Sequence, residues 1–242
     1  MLAAAALRLA AIETLAPTAA IVSGVGFPTL AGHRVYDSRA ISSADLERGV
    51  AFTPSLSVYT EDVRIERRGA TATSVHGNAR CDLVVVAELA ELARDESGAE
   101  IREASGNLAT DAVINGDAGM HLILSALTAQ ARAALVRAPA GVAFRRVAKA
   151  VPDVRIEAFG LPQYGVRFAR NVMTLSFEIA DDQFTDAAGF PEPLRSVFAE
   201  LPDGSYAKGR LAQLAAAFGA TSRDQLEAIG LTISNAAPDP FV

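Results

Sequence analysis

The sequence has few of the residues that build covalent or metal-bound frameworks. It contains one cysteine, Cys81, in 242 residues, so no disulfide can form within the chain and a cysteine-based zinc site is excluded. Its three histidines, His33, His76 and His121, are far apart and show no H-x-H or H-x-x-x-H spacing. The sequence therefore predicts no metal centre and no cofactor.

The motifs of nucleotide-binding and hydrolytic enzymes are also missing. No G-x-x-x-x-G-K-[ST] phosphate loop and no G-x-S-x-G nucleophile turn occurs. Gly24-Val25-Gly26 begins like a dinucleotide-binding loop, but it lacks the third glycine and the preceding apolar strand. Cys81 lies within an apolar strand pattern, which favours a packed thiol over a nucleophile. We therefore predict that the protein is not an enzyme.

Basic residues are fewer than acidic ones: the chain has 22 Lys and Arg, 28 Asp and Glu and a formal net charge of −6. This balance argues against a free-standing nucleic-acid-binding protein, which would normally be basic. Long apolar runs are also lacking, because Arg8 and Glu13 interrupt the one candidate near the N-terminus. That stretch has no preceding basic region, unlike a signal peptide. We expect a protein made in the cytoplasm, with no membrane partner.

Alanine, in contrast, is abundant. Hydrophobic residues make up 50% of the chain and the mean hydropathy is +0.23, but alanine alone accounts for about a fifth of all residues. Alanine adds hydropathy with little buried area, and it favours helix. We therefore expect a modest core of large apolar side chains on a few strands, with alanine-rich helices packed closely against them.

Apolar periodicity divides the first part of the chain into helix, strands, helix and strands. Three- and four-residue steps predict helices near the N-terminus and at Asp111–Arg137. Alternation predicts strands at 54–65, 81–86 and 173–179. This order predicts an α+β fold, with a mostly antiparallel sheet and helices packed on one face.

Three finer predictions follow from the same patterns. Val142–Val147 is predicted to be a short strand, and an inversion of apolar parity predicts a bulge near Asn171. After Phe184 the composition changes, and capping and glycine signals predict short helices. We therefore predict an α+β domain of residues 1–185 and a small helical C-terminal extension of residues 186–242.

Two of the predicted strands, joined by a charged segment, form a long protruding hairpin. Acids and bases alternate from Glu61 to Arg68. This pattern is consistent with a solvated turn, and equally with an arm that docks against charged partners.

Two pairs of adjacent carboxylates, Glu61-Asp62 and Asp181-Asp182, are the nearest approach to an acid–base site. Neighbouring residues on a strand point to opposite faces, so neither pair converges by itself. Solvated strand ends are the favoured interpretation, and a divalent ion shared between the pairs is the alternative.

Several segments carry a family resemblance, in the order in which they follow the leading helix. They are RVYDSR at Arg34–Arg39, PSLSVYTED at Pro54–Asp62, RCDLVVVAEL at Arg80–Leu89 and RFARNVMTLSFEIADD at Arg167–Asp182. Together they resemble the tail terminators, the tail-completion proteins of long-tailed bacteriophages, which include the lambda minor tail protein U. The resemblance covers roughly residues 1–185, and known members are generally shorter than this chain.

The resemblance implies a structural virion protein that assembles in the host cytoplasm into a ring of six copies. The ring would cap the tail tube and join it to neck proteins, while DNA passes through the lumen without specific binding. Contacts to the tube and to neighbouring copies would fall on the hairpin, and we add the second carboxylate pair as candidates. The predicted interface residues are Glu61, Asp62, Arg64, Glu66, Arg67, Arg68, Asp181 and Asp182.

Three other functions are considered. A head–tail adaptor or stopper of the neck would be distinguished by binding the portal side first. A small metal-dependent hydrolase would use Asp181, Asp182 or His76. A monomeric module would bind a peptide along its hairpin edge.

Overall fold

A computed structural model describes residues 2–42, 45–46, 52–66, 78–92, 110–111, 118–137, 141–161, 168–183, 190–220 and 222–228. The helices are α1 (Leu2–Leu15), α2 (Thr18–Ser23), α3 (Ala118–Arg132), α4 (Val142–Val147), α5 (Leu194–Glu200), α6 (Tyr206–Gly219) and α7 (Arg223–Ala228). A π-helical turn, Ala133–Arg137, continues α3. The strands are β1 (Val35–Asp37), β2 (Thr53–Glu66), β3 (Asn78–Leu92), β4 (Thr110–Asp111), β5 (Ala148–Leu161) and β6 (Phe168–Ala180).

Five strands form a mixed sheet in the order β1-β2-β3-β6-β5, and the short β4 pairs with the end of β3. β1 runs parallel to β2, whereas every other described pair is antiparallel. The predicted α+β fold with a mostly antiparallel sheet is therefore confirmed. Alternation places Leu56, Leu83 and Leu175 on one face, and these residues share a single buried cluster with α1, α3 and α4.

The first helix lies inside the molecule, packed against β1, β2, β3 and β6 and against α4, α5 and α6. It is therefore buried on more than one side, rather than along the single apolar stripe that the sequence predicted. Five buried alanines help to make this packing possible, because a small side chain lets neighbouring backbones approach closely. The buried residues of α1 are Ala3, Ala4, Ala6, Leu7, Leu9, Ala10, Ala11, Ile12 and Leu15.

Two stretches of the described chain, Leu2–Ser23 and Gly119–Arg137, are as long and apolar as a membrane-spanning helix. The prediction that no stretch would be was therefore wrong. Half of the first stretch and 39% of the second are buried within the fold. A core helix meets the same criteria of length and composition, so these stretches are weak evidence for a membrane.

The structure corrects three predictions about local structure. The second predicted helix begins at Ala118 rather than at Asp111, which pairs with Glu91 as part of β4. Val142–Val147 is a helix rather than a strand, and its buried residues Ala143, Phe144 and Val147 have helical spacing. No bulge occurs near Asn171, because the register of β6 against β3 is continuous. The irregularities lie instead in β5, between Ala148 and Asp153. Asn171 is simply a polar residue on the helix-facing side, where its amide donates to Thr128 Oγ1 at 3.0 Å.

The C-terminal segment is helical, as predicted, in its described part. Leu194, Val197, Leu201, Ala207 and Leu211 are buried in the same cluster as α1. The segment from α5 to α6 thus forms the outer layer over α1. The domain boundary near residue 185 stays a prediction.

The ring of Phe144 anchors α4 on the sheet. It meets the Phe177 ring of β6 edge to face, with centroids 5.4 Å apart, and it is 2% exposed. We expect Phe144→Ala to lower the free energy of unfolding by about 3–5 kcal/mol, because the truncation leaves a cavity. Denaturant unfolding would measure this. Val142→Ala, a truncation of a 57%-exposed neighbour, is the control and should change stability by less than about 1 kcal/mol.

Candidate functional site

The most conspicuous surface feature of the described chain is a group of exposed apolar residues that lie close together in sequence, in α2 and just after it. We call this group the apolar patch, and it comprises Ile21, Val22, Val25 and Leu30. These side chains are 51%, 83%, 69% and 46% exposed. The segment has a defined backbone, because Gly24 and Gly26 adopt positive φ and the Leu30 N–H donates to Gln130 Oε1 at 2.8 Å. Clustered exposed apolar residues indicate an interaction surface.

A cleft of about 350 Å³ lies next to this segment, between α1 and the outer helices. Pro17, Pro28 and Val142 contribute to its walls, together with Glu13 and Thr14. The Glu13 carboxylate already accepts hydrogen bonds from the backbone and hydroxyl of Thr18, both at 2.8 Å. The other walls of the cleft are mainly apolar, so it is an apolar recess beside the segment.

The predicted hairpin residues lie at the far end of β2. Glu61, Asp62 and Arg64 are exposed, and the β2–β3 register shifts between Glu61 and Arg64. Asp62 has a φ of 42° at this irregularity, and its carboxylate accepts from Arg64 Nε at 2.9 Å. Glu61 stands directly opposite Asp82 of β3, so two carboxylates share one face of the sheet.

The other predicted hairpin residues are less completely described. Glu66 is the last residue of β2 and pairs with Asn78. Arg67, Arg68 and His76 lie outside the described residues, so their predicted roles stay predictions.

The second predicted carboxylate pair divides into two different positions. Asp182 is 7% exposed, and its carboxylate accepts the N–H groups of Leu2 and Ala3 at 2.9 and 2.6 Å. It thereby caps the N-terminus of α1 from the end of β6. A negative charge at this position also interacts favourably with the helix dipole. Asp181 accepts the Asp182 N–H at 2.8 Å. The sequence did not reveal this capping contact, because it joins residues 180 positions apart.

A polar cluster on the sheet face away from the helices was also missed by sequence reasoning. Glu88, 6% exposed, lies 3.9 Å from Arg170, and burial raises the pKa of its carboxyl group. The buried Ser55, opposite Glu88 in the register, has a hydroxyl without a hydrogen-bond partner among the described residues. The only signal of this cluster in the sequence was the alternation of polar and apolar residues along β2 and β3.

The segment after β1 closes over this cluster. Arg39 binds Asp45 through two hydrogen bonds of 2.7 and 2.9 Å and stacks over the Tyr36 ring at 3.9 Å. The Arg39 guanidinium holds the pKa of the Asp45 carboxyl group well below its usual range. The Arg39–Asp45 pair lies within the segment itself, and the segment packs on the sheet through Leu46 and Ala90.

The described residues offer few candidate catalytic groups. Within it, no group of three or more His, Cys, Asp and Glu residues is placed to hold a metal ion. Cys81 is fully buried, and burial raises the pKa of its thiol to about 12.

Comparisons with known proteins add no family to this picture. The chain matches no protein-family model, and no curated protein matches it.

The capping contact of Asp182 can be tested by substitution. We expect Asp182→Ala to lower the free energy of unfolding by about 1–2 kcal/mol, because two N–H groups at the start of a buried helix lose their acceptor. Asp153→Ala, at an exposed carboxylate on β5, is the matched control. Equal stability of the two variants in denaturant would contradict the contact.

The Cys81 thiol provides a second test. Because its pKa is raised, the native thiol should resist alkylation by iodoacetamide at mildly alkaline pH and should react once the chain is unfolded. For the same reason, this group's contribution to stability is complete below the unfolded pKa of about 8.5 and is lost as the pH rises towards 12. Rapid labelling of the folded protein, measured by mass spectrometry, would contradict this placement.

Proposed function

We propose that this protein is a structural subunit of the tail-terminator type, which assembles into a ring on the end of a bacteriophage tail tube and joins the tube to the neck. The observation that carries the proposal is the exposed apolar patch of Ile21, Val22, Val25 and Leu30. Such a patch is costly on an isolated subunit and is explained by a partner surface that covers it. The phage context comes from the resemblance of the sequence segments.

The two sides of the sheet support assembly in a ring. β1 covers β2 only from Leu56 to Val58, and no described strand pairs with the outer side of β5. The sheet therefore has two different open edges on opposite sides. Contacts between two different surfaces are heterologous, and they close into a ring when the rotation between copies allows it.

The hairpin supplies the contact to the tube in this proposal. β2 and β3 contain 14 and 15 residues, so each spans roughly 45–50 Å. We propose that the segment joining them, with Arg67 and Arg68, forms a protruding arm that meets the tube. The net charge of −6 suits a lumen that passes DNA without holding it.

The test is direct binding to tail tubes. Purified protein mixed with tubes that lack a terminator should appear by electron microscopy as a ring on one tube end, with a mass of about six subunits. A protein that stays monomeric and never binds tube ends would overturn the proposal. Binding to the portal side before the tube would instead identify a head–tail adaptor or stopper.

The apolar patch itself is tested by one substitution. We expect Val22→Asp to reduce occupancy of tube ends at least about tenfold, because a charge is placed where a partner must exclude water. The thermal unfolding midpoint should stay unchanged, since Val22 is 83% exposed. Leu122→Asp, at a 72%-exposed residue of α3, is the control. Equal losses in the two variants would show that the patch has no special role.

A further inference from the structure

Two arginines differ from the other arginines whose side chains the structure describes. Seven of the others form ion pairs with carboxylates: Arg8, Arg39, Arg64, Arg80, Arg146, Arg155 and Arg170. Arg34, Arg195 and Arg210 donate hydrogen bonds, and Arg145 is also engaged. Arg132 and Arg137 form neither an ion pair nor a side-chain hydrogen bond with any described residue, although acidic residues outnumber basic ones in the sequence.

The π-helical turn brings these two side chains together. Residues five apart point in different directions on an α-helix of 3.6 residues per turn. In a π-helix the hydrogen bond joins residues i and i+5, so the fifth residue returns to nearly the same side. Ala133–Arg137 adopts this conformation, and both Arg132 and Arg137 line one cleft. π-Bulges of this kind are frequent at functional sites.

The cleft has room for side chains of another molecule. Its volume is about 420 Å³, and it lies between the end of α3 and strands β5 and β6. Ser125, Thr128 and Asn171 supply polar walls, while Val136 and the 46%-exposed Ile156 supply apolar ones. An open cleft with two unneutralised guanidinium groups is complementary to carboxylates.

Elsewhere on the same chain, two carboxylates lie opposite each other. Glu61 and Asp82 face each other directly across β2 and β3, an arrangement of like charges that destabilises a sheet. Asp82 accepts a hydrogen bond from Ser176 at 2.6 Å, whereas the exposed Glu61 side chain has no cationic partner among the described residues. A cation supplied from outside would relieve this repulsion.

The two sites cannot meet within one molecule. From β2 to β5 the sheet order spans three strand spacings, or roughly 14 Å. Along β6, Ser176 at the level of Asp82 and Asn171 in the cleft are five residues apart, or roughly 17 Å. Glu61 also shares a sheet face with Asp82, Ser176 and Glu88, whereas the cleft lies on the helical face. Within the described chain, neither site therefore supplies the partner of the other.

We propose that Arg132 and Arg137 of one copy bind Glu61 of the next copy, with Asp82 adding to the negative charge. The contact is head-to-tail, because the cleft lies towards the β5 side of the sheet and the acids lie towards the β1 side. This inference deepens the proposed function by naming the subunit contact of the ring. The sequence singled out Glu61, but it did not identify its cationic partner.

The test measures self-association of the purified protein without tail tubes, by analytical ultracentrifugation. Arg132→Glu with Arg137→Glu should weaken association about 10- to 100-fold, and Glu61→Arg should weaken it similarly, because like charges then meet. Combining the three substitutions in one chain should restore association. The control is Arg195→Glu with Arg210→Glu, which makes the same change in net charge at exposed sites outside the cleft. Circular dichroism checks that each variant is folded.

Three outcomes would overturn the inference. They are no association in the wild-type chain, association that survives both sets of single-site reversals, and loss in the cleft variant without recovery in the combined variant. The last would assign the cleft to a different acidic partner.

The tail-tube assay keeps the two proposals separate. Rings on tube ends that persist in the cleft variant would leave the tail-terminator function standing and remove the Glu61 contact. If the combined variant regains self-association but the protein never binds tubes, the Glu61 contact stands and the tail-terminator function is removed.

Discussion

Burial of α1 is the constraint on which the rest of the structure depends. The helix lies between the sheet and the outer helices α4 to α6, and its alanines let these layers approach closely. Its first N–H groups are buried with it and would be costly without acceptors. Asp182, at the end of β6, provides the acceptor. One carboxylate thus fixes the start of the chain to the end of the sheet.

This arrangement determines which surfaces remain for partners. The helical layers cover one face of the sheet, and the segment after β1 packs on the other through Leu46 and Ala90. What stays open is the apolar patch after α1, the cleft beside the π-helical turn and the acidic end of β2. The acidic end of β2 and the cleft beside β5 lie towards opposite edges of the sheet.

Local patterns succeeded where one face of an element decided its structure. The alternation on β2, β3 and β6 identified these strands, because one face packs on helices and the other does not. The prediction of a strand at Val142–Val147 was wrong. Its β-branched residues favour a strand, but in the structure the segment is a helix whose Phe144 packs on Phe177 of β6. Asn171 suggested a bulge, but a partner on α3, Thr128, accounts for a polar residue there.

The sequence by itself determined the α+β class, the alanine-rich helices, the acidic balance and Glu61 as a candidate contact, because composition and periodicity are local properties. Tertiary structure alone decided that Asp182 caps α1, that Glu61 faces Asp82 and that Arg132 and Arg137 share a cleft. Those relations depend on strand register, on a π-helical turn and on contacts between distant residues. The physical reason is that a side chain's neighbours, and hence its charge balance, are set by packing across the fold rather than by spacing along the chain.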